Sequence, residues 1–598
     1  MSNEQTKKRV TVIILILAAV ASLIYLISLK SAYPIFQNTR LSDPLAELNS
    51  LFPLHYVAIG IIALLGAVCF AFRIHNRGIH ILLLLLMAIM LWFTPYYLAE
   101  YARPTDGPRN LGVALQIPGV LQGTMFPEAY YGNLFPLSYI LDYTLVNISG
   151  AGYLFYLHLF PLIALCLFAL LCYTFATRLL NPIAALMTTL LTTAGLHYIV
   201  FHPSAHAVGV LLLMTSLVLM WRQDTPSRVL TFFSIIAVII CHPISPLILA
   251  VFLAAALIVN LSRRLNRSHL IWAAMLATCF IGWFIWPAVP LVPTDTPADI
   301  QPNNQVSETV LPQEQPKVPE VNIDEWAKDV QGYIFPKDFR TTEQFIFGTP
   351  FIYKSIYNAT KAIYLLYALM ALAVVSYVLV RTGLRARSLK DFLLQMGGFS
   401  KAEIFIAITI PVLFVLTILL GEKGHVLIER GLTFTILASA MLTASIATRL
   451  YEEAGMSIRR IINTGLAAIL LLFTLSFPVM SYSIDAYTSF PISEEAGLKF
   501  MADYLPLKQK RLTTASSGQL TLYEPHLLEP VKMRSGASLR KGDIFAFRKS
   551  SYFYSAMRFE LSFEDNWITR YLETVNSSNN FISIYYNPTT YIYIKTVK

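Results

Sequence analysis

The sequence has little charge and little cysteine. Asp, Glu, Lys and Arg make up 13% of its 598 residues against 56% hydrophobic ones, and the mean hydropathy is +0.58. This excludes an ordinary soluble globule, which could not cover its core with so few polar side chains. The five cysteines, Cys69, Cys166, Cys172, Cys241 and Cys279, all fall in long apolar runs, which excludes disulfides or a cysteine zinc site in the polar segments. The G-x-x-x-x-G-K-[ST] phosphate loop, the H-E-x-x-H zinc motif and any obvious repeat are missing as well. The net charge of +10 gathers beside the apolar runs, so it reads as a topology signal and not as a nucleic-acid footprint.

What the chain does have is a succession of membrane-length apolar runs. At about 1.5 Å per residue, roughly 20 residues cross a hydrocarbon core of about 30 Å. About thirteen spans are expected. They are Val10 to Leu29, Leu54 to Phe72, Ile81 to Leu98, Tyr153 to Phe175, Pro182 to Val200, Ala205 to Trp221, Val229 to Cys241, Ile244 to Leu261, Leu270 to Trp286, Ala362 to Val380, Ile404 to Gly421, Gly431 to Leu450 and Ile461 to Val479. The seventh, Val229 to Cys241, is short for a full crossing. The first run follows a basic start, but Ser28 to Tyr33 is a poor cleavage site, so it is expected to remain as an anchor.

Basic residues set the orientation, because lysine and arginine flanks are retained on the cytoplasmic side. With the N-terminus inside, Lys7, Lys8, Arg9, Arg73, Arg77, Arg178, Arg222, Arg228, Arg263, Arg264, Arg267, Arg381, Arg385, Arg387, Lys390, Arg459 and Arg460 collect on one face. Four segments then lie outside: Lys30 to Pro53, Ala99 to Gly152, Pro287 to Lys361, and everything after Met480. The expected architecture is an all-α polytopic membrane domain followed by a small extracytoplasmic α/β domain. Its parts are two N-terminal helices (1–80), a seven-helix module (81–287) carrying the outer loop 99–152, a long outer loop (288–361), four further helices (362–480) and the terminal domain (481–598).

The segment from Tyr101 to Gly152 is the most specific. Asp106 follows a span by a few residues, and Gly107-Pro108 opens a short amphipathic stretch, Arg109 to Ile117, with Leu111, Ala114 and Leu115 on one side. Such a stretch lies in the interface plane. Gly119, Gly123, the pair Tyr130-Tyr131 and Phe135-Pro136 come next, and then another span. This order resembles the first outer loop of the GT-C superfamily, membrane glycosyltransferases that use polyprenyl-phosphate sugars. Archaeal members look closest, given TDGPRN, YYGNLFPL and CHPISP. The two N-terminal spans depart from the simplest family plan.

The resemblance implies an inverting transfer of a sugar from a polyprenyl-phosphate-linked donor to a lipid-linked glycan, a protein or a cell-surface polymer on the extracytoplasmic side, in a multi-pass protein of a prokaryotic plasma membrane. It assigns Asp106 as general base, since a carboxylate at the outer surface can accept the proton of an attacking hydroxyl. Asp106 or Thr105 can equally cap the helix that follows, and the residues alone leave both readings open. Arg430, at the outer start of a span, is the candidate for the donor phosphate, because a guanidinium stays charged and grips two oxygens. His206 in FHPSAH and His242 in CHPISP are further phosphate candidates, with His202 and His425 behind them. Interfacial anchoring is the competing use of all these side chains. Arg109, Tyr130 and Tyr131 are acceptor or loop contacts. Many GT-C members carry a second acidic residue where this chain has FHPSAH, so no metal ligand is assigned and no cofactor is certain; a divalent cation held by histidine stays open as the alternative. A divalent ion would lack its usual oxygen ligands there.

Asp43 and Glu47, four apart, and Asp324, Glu325 and Asp329 read as solvated faces. Asn147, Asn358 and Asn576 head glycosylation sequons. The first half of the Pro287 to Lys361 segment is rich in proline and polar residues, as a loop or linker is. In the terminal domain, helices are expected from Pro491 to about Tyr504 and from Trp567 to Thr574. Strands are expected at Asp543 to Phe547, Phe581 to Tyr586 and Tyr591 to Lys595, with Asn587-Pro588 in a turn. The rival reading is a transporter or flippase, or a non-catalytic scaffold. Charged residues within spans are nearly absent and no inverted repeat is evident, which counts against transport.

Overall fold

The computed structural model describes residues 3–39, 50–98, 106–117, 135–150, 153–195, 204–261 and 271–279, with single gaps at 52, 116, 223, 243 and 278, then 425–485, four short strands and isolated residues 376 and 409. The expected spans Ala362 to Val380 and Ile404 to Gly421, the terminal-domain helices and the carboxylates at 43, 47, 324, 325 and 329 lie outside the described residues.

Among the described residues, ten helices precede residue 262: α1 Asn3–Thr39, α2 Pro53–Ala71, α3 Arg77–Leu98, α4 Asp106–Ala114, α5 Leu137–Ser149, α6 Tyr153–Leu179, α7 Pro182–Gly195, α8 Ala205–Met220, α9 Thr225–Cys241 and α10 Ile244–Leu261. Two more, α11 His425–Glu453 and α12 Met456–Asp485, follow. Among the described residues, five helices are long and apolar enough to cross a membrane: Glu4–Phe36, Pro53–Ala71, Arg77–Pro95, Phe155–Leu179 and Met456–Pro478. Shorter apolar helices cover Pro182–Gly195, Ala205–Met220, Thr225–Cys241 and Ile244–Leu257.

The helix surfaces show what solvent they were built for. On α1, Ile14, Ala18, Ala21, Tyr25, Leu29, Ala32 and Phe36 are buried, while Ile13, Ile16, Val20, Leu23, Leu26 and Ile27 are exposed. The buried set repeats every three or four residues, so one stripe packs inward. The opposite face is just as apolar, which only a hydrocarbon solvent rewards. The chain is a multi-pass membrane protein.

Helix α7 is the hub. Ile183 through Gly195 are all buried, and the helix packs on α2, α3, α6, α11 and α12. Two of its four threonines bond to the preceding turn, Thr189 Oγ1 donating to the Ala185 carbonyl at 3.0 Å and Thr192 Oγ1 to that of Thr188 at 2.8 Å. Helix α1 packs on α2 and α3, so the N-terminal pair belongs to the main core.

The short seventh span is longer than hydropathy alone indicates. It begins at Thr225, because Asp224 Oδ2 accepts from the Ser227 N–H at 3.1 Å and from the Ser227 hydroxyl at 2.7 Å, with a proline in the first turn. Its 17 residues still reach only about 25 Å. Likewise the amphipathic stretch after Asp106 begins earlier than Arg109: the helix runs Asp106–Ala114, since an acid suits the first turn and Pro108 forfeits only an N–H that has no intrahelical partner.

At one end of the bundle, Tyr451 ties α11 to α2. Its hydroxyl donates to the Ala71 carbonyl at 3.0 Å, the Arg73 guanidinium lies 4.9 Å from its ring centre, and that of Arg459 lies at 5.2 Å. Arg73 also pairs with Glu452 at 2.7 Å. Arg73 and Arg459, expected on one face of the membrane, therefore sit at one end of the molecule.

Towards the C-terminus, β1 Leu512–Thr514, β2 Ile544–Arg548, β3 Phe581–Tyr586 and β4 Thr590–Lys595 form one sheet in the order β1-β2-β4-β3. β1 and β2 are parallel, and β4 is antiparallel to both β2 and β3. The three strands expected here fall within a residue of these bounds; β1 was not anticipated, being only three residues long.

Candidate functional site

Two helices of the expected outer loop are described, and both pack onto the neighbouring apolar helices. Helices α4 and α5 pack against each other, α4 reaches α6, and α5 reaches α8 and α9. Together they enclose a satellite core of Leu111, Val113, Ala114, Ile117, Tyr139, Val146, Tyr156 and Leu157, separate from the main one. Leu111, Val113 and Ala114 supply the buried side of α4, and Leu115 is half-buried. Asp106 is the first residue of that helix, with Arg109 one turn on.

The end of α9 meets the start of α8 beside α5. Cys241 Sγ contacts the Ala205 carbonyl at 3.4 Å, and the His206 and His242 rings lie 5.1 Å apart between centres, tilted by 56°. Ser204 caps α8, its hydroxyl accepting from the Ala207 N–H at 3.2 Å. His242 is buried and leaves the helix in an extended conformation. Its Nδ1 accepts from the Ile244 N–H at 3.3 Å and lies 3.4 Å from Ser245 Oγ. A ring that accepts at Nδ1 carries its proton on Nε2, which makes Nε2 the donor. Gly209 allows the approach: a Cβ there would lie 2.7 Å from Ser245 Oγ and 2.9 Å from His242 Cβ.

An acid that the motif reading missed sits next to this junction. Asp142 on α5 is fully buried, and the Tyr156 hydroxyl donates to its Oδ1 at 2.5 Å. Burial raises the Asp142 carboxyl from 3.8 to about 7, against the opposing pull of the Tyr156 hydrogen bond. Its charge reaches Cys241, the neighbour of His242. The signal was present in the sequence: Ser138, Tyr139, Asp142 and Val146 have helical spacing and form the buried face of α5, so an acid stands on an apolar stripe.

An apolar groove of about 320 Å³ runs along α10, from Pro246 past Ala250 to Leu257, and is lined as well by Ala273 and Leu276. Its first lining residue, Pro246, follows His242 by four positions in the chain.

The structure thus brings His206 and His242 together and packs α4, whose first residue is Asp106, on α5 and α6. Arg430 lies on α11, which packs on α7 and α12. The side chains of Asp106, Arg109 and Arg430, and the whole of Tyr130, Tyr131 and His202, are outside the described residues. Among the described residues, no group of three or more His, Cys, Asp or Glu could hold a metal ion.

No protein-family model and no curated protein matches this sequence. Among solved structures, the chain is similar to ArnT from Cupriavidus metallidurans in the apo state. The likeness has 12% identity and a TM-score of 0.41, and it covers 86% of this chain and 97% of ArnT. At that score, residue roles rest on this chain's own geometry.

Proposed function

We propose that the chain is a GT-C-type membrane glycosyltransferase that moves a sugar, with inversion, from a polyprenyl-phosphate-linked donor to an acceptor on the extracytoplasmic side. The observation that carries this reading is the His206–His242 pair, followed directly in the chain by the helix that lines an apolar groove. A lipid phosphate needs hydrogen-bond donors at the membrane surface and a hydrocarbon channel nearby.

In this reading the isoprenoid chain lies along α10, and His206, His242 and Arg430 take the phosphate. Asp106 accepts the proton of the acceptor hydroxyl as its oxygen bonds to the anomeric carbon from the side opposite the phosphate. The bond from that carbon to the phosphate oxygen breaks, and its electron pair leaves with the phosphate. The phosphate departs already charged, so the step needs no general acid. Arg109, Tyr130 and Tyr131 contact the acceptor. The thirteen-span count, the cytoplasmic N-terminus, the extracytoplasmic α/β domain and residence in a prokaryotic plasma membrane complete the proposal. The shortage of charge within the spans favours it over transport.

The test is Asp106→Asn in membranes supplied with polyprenyl-phosphate sugar. Transfer falls by about 10²- to 10⁴-fold while expression and folding persist. A variant of undiminished activity overturns the assignment of Asp106. Solute uptake into vesicles without any sugar product overturns the enzyme reading itself.

A further inference from the structure

The start of α12 stands clear of the bundle: every residue from Met456 to Ile461 is exposed. Three of the six are large and apolar, with Met456 72%, Ile458 53% and Ile461 70% open, and two are the arginines Arg459 and Arg460. Aliphatic side chains this open, interleaved with guanidinium groups, suit the boundary between lipid headgroups and acyl chains, which solvates both kinds at once. This end of the molecule is far from the His206–His242 pair. Along α6, Tyr156 meets Asp142 beside that pair, whereas Tyr173, about 25 Å further on, meets His80, whose other ring nitrogen reaches the Ile74 carbonyl in the turn that carries Arg73.

The corner behind these turns holds more positive charge than it balances. The Tyr451 ring carries the Arg73 guanidinium at 4.9 Å and that of Arg459 at 5.2 Å, so the two charges lie within about one Debye length of each other in 0.1 M salt. Arg73 is fixed and neutralised. It closes α2 in the left-handed region, at φ 55°, a conformation that costs a side chain energy, and Glu452 pairs with it at 2.7 Å. The neighbouring acid, Glu453, pairs with Arg449 at 3.1 Å. Arg459 is left with the Glu452 carbonyl at 3.4 Å and Arg460 with the Met456 sulfur at 3.9 Å. Among the described residues, neither pairs with an acid.

Two adjacent guanidinium groups without a counter-charge suit an anion with several oxygens, and phosphate above all. The aliphatic side chains beside them select a phosphate that carries acyl chains, because a soluble anion would leave Met456, Ile458 and Ile461 in water. We propose that Arg459 and Arg460, together with these three residues, form a docking surface for an anionic phospholipid. Tyr451 is the positioning residue, holding Arg459 against its ring. A lipid phosphate bound there also screens Arg73 from Arg459 and so strengthens the contact between α2 and α11. The surface is independent of the donor phosphate and of the glycosyltransferase reading.

The experiment titrates phosphatidylglycerol into phosphatidylcholine nanodiscs that hold the full chain, and reads the rise in its unfolding temperature as an apparent affinity. The unaltered protein is expected to be stabilised by phosphatidylglycerol. Arg459→Gln and Arg460→Gln each weaken the apparent affinity roughly fivefold, equivalent to about 1 kcal/mol for a cation at an anionic surface. Lys8→Gln is the control. It removes an exposed cation of α1 that pairs with Glu4 at 3.4 Å, and it leaves the affinity unchanged. An unaltered protein indifferent to phosphatidylglycerol, or arginine variants that keep its full affinity, overturns the surface. A Lys8→Gln loss equal to that of either arginine variant shows diffuse surface charge and overturns it too. The same stabilisation by inorganic phosphate in phosphatidylcholine alone shows a site for a free anion and overturns the lipid.

Discussion

The Tyr156 hydroxyl donates to Oδ1 of Asp142 at 2.5 Å, joining the helix of the expected outer loop to the start of the span that follows. This bond ties α5, which packs on α8 and α9, to the start of α6. A buried carboxyl held by one hydroxyl makes the stability of the loop depend on pH.

Folding raises Asp142 from 3.8 to about 7, so between those values the folded chain holds a proton that the unfolded chain has released. Stability therefore falls as pH rises through this window, by an amount on the order of 4 kcal/mol. Thermal unfolding between pH 4 and pH 8 should show the wild type losing stability relative to Asp142→Asn, whose curve lacks this component. Parallel curves would remove the role of Asp142.

Tyr156→Phe deletes the hydrogen bond to Oδ1 of that carboxyl. A bond to a charged or partly charged group contributes about 1.5 to 3 kcal/mol, so the variant should unfold earlier, most clearly at the upper end of the pH range. Limited proteolysis within 118–134 measures whether the loop has loosened.

Gly209→Ala places a methyl group against Ser245 Oγ and His242 Cβ, at 2.7 and 2.9 Å. Overpacking of this kind costs about 1 to 3 kcal/mol. It should also displace His242, so donor affinity falls together with stability. Gly465→Ala, with no neighbour within 4 Å, is the control and should leave donor affinity unchanged.

Ala254→Phe narrows the α10 groove from an exposed position on its wall. KM for a long polyprenyl donor should rise about tenfold, a loss of roughly 1.4 kcal/mol, while KM for a donor with a short chain stays the same. An equal effect on both donors would argue against the groove as the site of the lipid chain.

At the other end of the molecule, Tyr451→Ala removes both the hydrogen bond to Ala71 and the ring shared by Arg73 and Arg459. A loss of about 2 kcal/mol is expected, and about 1 kcal/mol for Tyr451→Phe, which keeps the ring. Glu452→Ala should change stability by less than either, because Glu452 is 59% exposed and such ion pairs contribute about 0 to 1 kcal/mol. Thermal unfolding in one detergent ranks the three.

The apolar runs by themselves determined where most helices run. Tyr153, Pro182, Ala205 and Ile244 open helices as hydropathy indicates, because a chain in hydrocarbon must satisfy its backbone within each segment. Strands with alternating residues, such as Phe581–Tyr586, were legible for a similar local reason. Helix starts were less so: α9 begins before its apolar run because a capping aspartate governs it. The tertiary structure alone decided which polar residues meet. His206 and His242 are 36 positions apart in the chain and 5.1 Å apart between ring centres, and no local pattern encodes that. It also decided the standing of Asp142, for which the sequence offers only its place on a helical stripe with Tyr139 and Val146. Only the packing of α5 on α4, α8 and α9 removes that carboxyl from water and gives it Tyr156 as a partner, since burial is a property of several segments at once.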